Sequence, residues 1–204
     1  MAFGFSGKLI RMDLTHRKIE IEETSRDLFE NYLGGRGLNM KYLMDESLPH
    51  VDPFSPENIL IFSAGSLGGT LAPASSRLTV TSKSPETLLY GKTTSGGHFA
   101  PELKLAGYDG ILVKGAADRP VYLWIHDDQI EMKDAGHLWG HDVRETDQRL
   151  KQELGDPKIS TVCIGPAGEN LVRYSAVMVN TYRCASRCGM GAVMGSKRLK
   201  AFAV

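Results

Sequence analysis

The strongest constraint on the fold is an internal repetition in the order of elements. In the first half, a strand ends at Gly65, Arg77 opens the strand "RLTVTS", and the glycine-rich run "TSGGHFAPELKLAGYDGILV" follows. In the second half, a strand ends at Gly165, Arg173 opens "RYSAVMV", and "SRCGMGAVMGSKRLKAFAV" follows. The match is one of order and residue type, and it predicts a duplication that pairs Arg77 with Arg173. Two similar turns, each entering a short helix, could hold two copies of one anionic group.

Local patterns predict short strands and helices in the rest of the chain. Two strands flank a turn at residues 15–17, with alternation in "KIEIE". A hairpin is expected about Asp127-Asp128. Helices are expected over residues 27–33, with a cap at Thr24 or Ser25, and over roughly residues 142–153.

The composition excludes several classes of protein. Lys and Arg number 24 and Asp and Glu number 24, so the formal net charge is zero and any anion site must be local. No segment approaches the ~20 apolar residues of a membrane span, and the N-terminus does not resemble a secretory signal. Three cysteines are too few for a secreted disulfide scaffold. These features predict a cytoplasmic protein with no nucleic-acid or membrane partner.

The last residues, "KRLKAFAV", form an apolar stretch that resembles a strand. A natural terminus is usually polar and frayed. We therefore expect residues 1–204 to be one domain of a longer protein.

The run "TYRCASRCGMGAVMGSK", residues 181–197, is first tested as a metal site. Cys184 and Cys188 are four apart, a spacing that would put both thiols on one face of a helix. Iron–sulfur and structural zinc sites need about four ligands. The remaining Cys163 lies in an apolar strand, where a buried thiol is expected. The count disfavours a metal held by cysteine side chains.

Nucleotide-binding motifs fit the same run poorly. A P-loop needs GxxxxGK[ST], but Gly195-Ser196-Lys197 places the lysine one residue late. The run "GMGAVMG" is one residue off the dinucleotide pattern, and no βαβ unit can follow it before Val204.

An anion site is the interpretation that the residues support. Gly189 and Gly191 let the backbone approach a ligand closely, and N–H groups at a helix start favour phosphate. Arg183 and Arg187 add forked donors that suit phosphate or a fused polar ring system.

The first half offers a matching turn. Thr94-Ser95-Gly96-Gly97 supplies the same backbone amides, with Arg77 as a partner. In the competing interpretation, the glycines of both halves only make tight turns and the arginines are solvated.

Several long motifs in the same order closely resemble the N-terminal domain of the aldehyde ferredoxin oxidoreductase family, which are tungsten enzymes with a bis-pterin cofactor. They are "RGLN", "FSPENILIFSAGSLGGTLAP", "SRLTVTSKSP", "SGGHFAPELKLAGYDGILVKG", "IGPAGENLVRYSAVM" and "GAVMGSKRLKA". The similarity runs from about Gly7 to Val204. It implies an α+β fold of two antiparallel sheets with short helices, related by a pseudo-two-fold axis, on which two pterins sit.

The resemblance also implies a set of cofactor-binding residues, which in this sequence are Arg77, Thr94, Ser95, Gly96, Arg183, Cys184, Ser186 and Arg187. In the family, main-chain carbonyls hold a magnesium ion that bridges the pterin phosphates, and here these would belong to Thr94 and Cys184. Thr94 stands where asparagine is common, and Cys184 and Cys188 replace small residues. A backbone carbonyl survives such replacements, so the run 181–197 is expected to anchor a pterin while its thiols ligate nothing.

No catalytic residue is expected in this chain. The cysteines of the family's [4Fe–4S] cluster and its acidic and histidine residues near tungsten belong to later domains. His98 and His141 are interpreted as surface or turn residues.

The resemblance predicts a cofactor-binding domain of a tungsten- or molybdenum-dependent enzyme. The intact enzyme would oxidise an aldehyde to its acid and pass electrons through the cluster to ferredoxin. The remainder of the chain is the expected partner, a homodimer is a candidate assembly, and the isolated chain is expected to be inactive. The alternatives are a stand-alone pterin-binding module and the same domain in a related aromatic acyl-CoA reductase.

Overall fold

The computed structural model describes residues 4–204, which form twelve strands and six α-helices. The strands are β1 (Lys8–Asp13), β2 (Lys18–Glu23), β3 (Leu60–Ala64), β4 (Leu78–Lys83), β5 (Tyr90–Ser95), β6 (Gly110–Lys114), β7 (Val121–His126), β8 (Gln129–Asp134), β9 (Thr161–Cys163), β10 (Val177–Val179), β11 (Arg183–Ala185) and β12 (Leu199–Ala203). The helices are α1 (Arg26–Tyr32), α2 (Gly35–Glu46), α3 (Phe99–Leu105), α4 (Val143–Leu154), α5 (Pro166–Glu169) and α6 (Met190–Ser196), and a 3₁₀ turn spans Gly136–Leu138.

The predicted helix ends have identifiable caps. The Ser25 hydroxyl accepts a hydrogen bond from Leu28 N at 3.1 Å at the start of α1. Asp142 and Glu145 form a reciprocal capping box at the start of α4, and Gly155 ends that helix in the left-handed conformation. These contacts confirm the two helices near their expected positions.

The strands form two six-stranded sheets with the same topology. The first sheet has the order β2-β1-β6-β3-β4-β5, and the second has the order β8-β7-β12-β9-β10-β11. Each strand of the second sheet occupies the place of the strand six positions earlier in the chain. The predicted α+β fold with an internal duplication is therefore confirmed.

Each sheet is antiparallel except for one pair. β1 runs parallel to β6, and β7 runs parallel to β12. In each half the first and last strands are neighbours that run in the same direction, so both sheets are mixed. The sequence predicted two antiparallel sheets, and these two pairs are the difference.

The two sheets share a central hydrophobic core. Phe62 of β3 and Phe202 of β12 meet edge to face, with ring centroids 4.8 Å apart. α3 and α6 add Phe99 and Met190 to the same core. On the opposite face of the first sheet, α2 covers a smaller cluster, and α4 does the same for the second sheet. A shared core fixes one half of the molecule against the other.

Among residues 4–204, no helix combines the length and the apolar character needed to cross a membrane.

Candidate cofactor-binding site

The two predicted turns lie side by side because β5 and β11 are edge strands of their sheets and contact each other. We call residues 94–98, which lead from β5 into α3, the first turn. Residues 184–189, which lead from β11 into α6, are the second turn. Arg187 N in the second turn donates to the Thr93 hydroxyl of β5 at 3.2 Å. The fold therefore brings together the two runs that the sequence singled out.

Thr94 and Cys184 occupy equivalent positions in the two halves. In the first sheet, Ser95 pairs with the first residue of β4 and Thr94 pairs with the second. In the second sheet, Ala185 pairs with the first residue of β10 and Cys184 pairs with the second. Each is thus the penultimate residue of an edge strand, at the same register.

The carbonyl oxygens of these two residues point away from their own sheets. In an antiparallel ladder, successive residues direct their N–H and C=O groups alternately to one neighbour and the other. Gly65 N donates to Arg77 O at 3.2 Å, so Arg77 and Thr79 face β3, while Leu78 and Ser95 bond to each other. The N–H and C=O of Thr94 must then point out of the open edge.

The same alternation applies in the second half. Asn180 N donates to Thr161 O at 2.9 Å, so Asn180 and Met178 face β9. Val179 and Val177 therefore bond to β11, and the carbonyl of Cys184 points outward. Two outward carbonyls, related by the duplication, can act as ligands of a hard cation.

The first turn has open backbone donors. Within residues 4–204, neither Gly96 N nor Gly97 N donates a hydrogen bond. No atom lies within 4 Å of the position that a Cβ of Gly96 would take, so the space beside this turn is open. Unpaired amide N–H groups next to open space are suited to donating hydrogen bonds to an anion.

Three exposed arginines lie in or next to the strands and turns of the site. Arg183 is the first residue of β11, Arg187 lies in the second turn, and Arg77 directly precedes the residue that pairs with Ser95. None of the three forms an ion pair with a carboxylate in the described part of the chain. The guanidinium of Arg183 lies 5.8 Å from the centre of the Tyr182 ring. Their charges are available to an anionic ligand.

Neither Arg173, which matches Arg77 by position in the repeat, nor Arg183, which the family motif relates to it, occupies the place equivalent to Arg77. Since Leu78 and Val177 both begin their strands, Arg77 corresponds to Ala176, and Arg173 lies three residues farther from β10 in the preceding loop. By the same register, Arg183 corresponds to Thr93 of β5. The two turns therefore have equivalent backbone positions but carry different side chains at them.

The cysteines do not share a helix face, as their spacing had suggested. Cys184 is exposed in β11, and Cys188 follows it in a left-handed backbone conformation with its Sγ 3.8 Å from Lys92 O. Cys163 is 1% exposed in β9, and burial raises the pKa of its thiol to about 12. No group of three or more His, Cys, Asp or Glu side chains within residues 4–204 is placed to hold a metal ion.

The remaining predicted residues lie at or near the turns. Ser95 ends β5 and donates through its hydroxyl to Gly96 O at 3.1 Å, and Ser186 is exposed in the second turn. His98 is exposed at the start of α3, and His141 contacts Glu145 at 2.9 Å just before α4. α3 and α6 have only seven residues each, so the donors of the site are mainly loop amides and arginines rather than helix dipoles.

Sequence reasoning missed Thr93 and Asn180, whose side chains join the two turns. The Asn180 amide oxygen accepts a hydrogen bond from His98 N at 2.9 Å. Neither residue belongs to a motif, and only the tertiary contact between the edge strands shows their position.

The residues present fit a group with two phosphates and a bridging cation. The donor set consists of arginines and free amides, and two outward carbonyls sit at equivalent positions beside them. The site is an open surface. A cavity of about 420 Å³ lies elsewhere, lined by residues that include Trp124, Asp156 and Val204.

Comparison with protein families and known proteins shows which family the sequence resembles. The family model described as "Aldehyde ferredoxin oxidoreductase, N-terminal domain" matches residues 9–204. A tungsten-containing aldehyde ferredoxin oxidoreductase of Pyrococcus abyssi is 50% identical over 202 residues, which cover 99% of this chain and 33% of that protein. The WOR-like subunit of an aliphatic sulfonate oxidoreductase of Pyrococcus furiosus is 37% identical over 214 residues, covering 98% of this chain and 34% of that protein.

A solved structure matches the whole fold. It is the active-site complex BamBC of benzoyl coenzyme A reductase with 1,5-dienoyl-CoA, and it superposes with a TM-score of 0.98 at 46% identity. The match covers 100% of this chain and 31% of that one. The chain thus spans about a third of the length of these relatives.

Proposed function

The chain belongs to the aldehyde ferredoxin oxidoreductase family, whose N-terminal domain it matches, and from this premise we propose that it binds a tungsten or molybdenum bis-pterin through the paired turns. The observation that carries the proposal is the equivalence of Thr94 and Cys184. Their carbonyls point out of the open edges of the two sheets at equivalent register positions, next to arginines that form no ion pair in the described part of the chain.

We assign the phosphate groups of the two pterins to the arginines and the turn amides. Arg183 and Arg187 would contact the phosphates from the second half, and Arg77 would do so from the first. Gly96 N–H and Gly97 N–H are free to donate to an anion. A magnesium ion between the phosphates would take the carbonyl oxygens of Thr94 and Cys184 as ligands, which are the hard oxygen donors that this ion prefers.

When bound, the cofactor supplies the oxidation–reduction chemistry. The residues of this chain bind it and orient it, and their positive charge balances that of the phosphates. Aldehyde oxidation, a [4Fe–4S] cluster and electron transfer to ferredoxin are proposals for the whole protein, because the relatives are about three times as long as this chain.

The test is the cofactor content of the full-length protein, purified without oxygen. We expect two pterins, one tungsten or molybdenum and one magnesium per polypeptide, with magnesium lost from a variant in which the second turn is deleted. A folded full-length protein that contains neither pterin nor metal would contradict the proposal.

A second candidate function is reduction of an aromatic acyl-CoA. It is favoured by the neighbour of TM-score 0.98, which is a benzoyl coenzyme A reductase complex. Assays of the full-length protein with an aldehyde and a viologen dye, and with an aromatic acyl-CoA and a low-potential reductant, separate the two. A protein that holds pterin but turns over neither substrate would support a stand-alone binding module.

Residues 1–204 alone should not turn over an aldehyde. Within residues 4–204, no group of three or more Cys, His, Asp or Glu side chains is placed to hold an iron–sulfur cluster. Aldehyde-dependent dye reduction by the folded, metal-loaded chain would show that the catalytic residues lie in this domain.

A further inference from the structure

Within residues 4–204, every hydrogen bond that joins the two turns or their strands involves a side chain. β5 and β11 belong to different sheets, and within residues 4–204 no backbone–backbone hydrogen bond connects them or their turns. The hydrogen bonds that do cross are His98 N to Asn180 Oδ1 at 2.9 Å, Arg187 N to Thr93 Oγ1 at 3.2 Å, and the weak Cys188 Sγ to Lys92 O at 3.8 Å. The shared core sets the two halves against each other, and these few hydrogen bonds act directly at the turns.

The two stronger hydrogen bonds between the halves are reciprocal. The first turn donates its His98 amide to a side chain of the second half, and the second turn donates its Arg187 amide to a side chain of the first half. Both acceptors are nearly buried, with Thr93 3% exposed and Asn180 9% exposed. A buried acceptor holds its donor more strongly than an exposed one, because water competes less.

Asn180 is itself fixed in the second half. Its Nδ2 donates to the Ser160 hydroxyl at 2.8 Å and its backbone N donates to Thr161 O at 2.9 Å. Its φ of 49° and the φ of 61° at Thr181 place two successive residues in the left-handed region. Such strain persists only where surrounding contacts over-determine the conformation.

The first turn is shaped to fit against Asn180. Gly97 has a φ of 112°, and a Cβ there would lie 2.9 Å from Val179 Cγ1 and 3.1 Å from Asn180 Oδ1. The absence of a side chain lets the turn lie directly on the β10–β11 hairpin.

We propose that Thr93 and Asn180 are positioning residues that set the spacing between the two cofactor-binding turns. Their side chains accept hydrogen bonds from the His98 and Arg187 amides, and they thereby fix the carbonyls of Thr94 and Cys184 at a constant separation. They also leave the neighbouring Gly96 and Gly97 amides free for the ligand. This inference rests on the proposed function, since the ligand held between the turns is the pterin pair and its magnesium.

The test compares variants of the full-length protein that remove or keep each acceptor. Thr93→Val removes the hydroxyl, and Thr93→Ser keeps it. Asn180→Gly removes the amide without adding strain at the left-handed position, and Asn180→Asp keeps an oxygen acceptor. Ser82→Ala is the matched control, because the Ser82 hydroxyl donates a buried hydrogen bond to Ile59 O at 2.7 Å away from the turns.

The main readout is the rate at which bound magnesium is lost to a chelator, with the magnesium-to-pterin ratio measured alongside. We expect magnesium loss to be about three- to tenfold faster in Thr93→Val and Asn180→Gly, as for the loss of one hydrogen bond. Thr93→Ser should restore the wild-type rate, and Asn180→Asp should restore it in part. Ser82→Ala should lower the melting temperature without changing the rate.

Hydrogen exchange in peptides covering residues 94–99 and 183–189 of the cofactor-free protein gives a second readout. Faster exchange of the His98 amide in Asn180→Gly and of the Arg187 amide in Thr93→Val supports the positioning role. Unchanged exchange, or magnesium loss no faster than in Ser82→Ala, overturns it.

The outcomes for the two proposals are separate. Wild-type protein without pterin and magnesium contradicts the proposed function, and the positioning role in cofactor binding falls with it, whatever the exchange rates. Wild-type protein that holds both, with variants indistinguishable from the control, contradicts the positioning role alone.

Discussion

Arg77 belongs to the first half and Arg183 to the second, and both are exposed and without a carboxylate partner in the described part of the chain. A charge-assisted hydrogen bond contributes about 1.5–3 kcal/mol. Arg77→Ala or Arg183→Ala in the full-length protein should therefore weaken pterin retention by about ten- to a hundredfold. Folding should change little, because neither side chain packs in the core. The measurement is pterin and tungsten content per polypeptide after dialysis.

Arg173→Ala is the internal comparison for this prediction. Arg173 is also exposed, but the register places it in a loop and not at the position of Arg77. We expect its loss to have the smaller effect on cofactor content. Full content in the Arg77 and Arg183 variants, with loss only in the Arg173 variant, would refute the assignment of the anchoring residues.

A further prediction concerns the three thiols. Cys184 is exposed, Cys188 is half-buried, and Cys163 is buried with its pKa raised to about 12. Partial burial raises the pKa of Cys184 as well, but its thiol is the exposed one and the reagent can reach it. Because alkylation requires an accessible thiolate, iodoacetamide at pH 8 should label Cys184 first and should leave Cys163 unlabelled until the chain unfolds. Peptide mass spectrometry over a time course measures the order. Early labelling of Cys163 would mean that β9 opens in the native state.

At the scale of residues, the sequence indicates which types of residue form the site, but it does not establish which residues of the two halves correspond. The family resemblance implies a role for the turn residues Thr94 and Cys184, and the register places them at equivalent positions. Arg77 and Arg173 were matched by counting across loops. That count failed because Arg173 lies in the loop before β10, whereas Arg77 directly precedes β4.

At the scale of elements, the two glycines of the first turn should respond differently to substitution. Gly97 has a φ of 112° and a Cβ there would meet Val179 at 2.9 Å, whereas a Cβ at Gly96 would meet nothing within 4 Å. Gly97→Ala should therefore cost about 1–3 kcal/mol of folding stability. Gly96→Ala should leave stability within about 0.5 kcal/mol of wild type. Urea denaturation followed by circular dichroism measures both, and equal losses would mean that the first turn does not lie on the β10–β11 hairpin.

Sequence patterns did not predict the edge strands β5 and β11. β11 has only three residues, Arg183–Ala185, which is too short for an alternating pattern to be recognised. Two of them are exposed because the strand lies at the free edge of its sheet. The apolar run of the buried strand β3 predicts it, since burial on both faces leaves a strong signal.

For the whole molecule, the duplication explains why the site lies where it does. One of the two edge strands of each sheet, β5 or β11, leads into a turn, and the shared core sets these two edges beside each other. An open sheet edge is usually a liability because it can pair with other chains. Here the edge carbonyls and the turn amides are left unpaired at the place where we propose that the cofactor binds. The order of elements predicted two similar turns, whereas their contact follows from packing of the sheets, which no local pattern encodes.

A buried lysine links the two halves and makes their stability depend on pH. Lys197 follows α6 in the second half, is 0% exposed, and donates from Nζ to Pro56 O at 3.1 Å and to Gly115 O at 3.0 Å, both in the first half. Burial lowers the pKa of Lys197 from 10.5 to about 7, against the opposing charges of Glu57 and Asp13. Between about pH 7 and 10.5 the unfolded chain therefore binds more protons at this residue than the folded one does. Stability contributed by this group rises with pH over that window, by at most about 1.4 kcal/mol per pH unit.

Lys197→Met tests this dependence, because methionine fills similar space without a titrating group. The variant should be less stable at every pH, since two buried carbonyls lose their donor, at about 1–3 kcal/mol each. The difference in unfolding free energy between wild type and variant should be smallest below pH 7 and should grow as the pH rises toward 10.5. Urea unfolding at pH 6.5, 8 and 9.5 measures that difference. A constant difference across the series would mean that Lys197 keeps its proton in the folded state, so that the two halves are joined by an ammonium group rather than by a neutral amine.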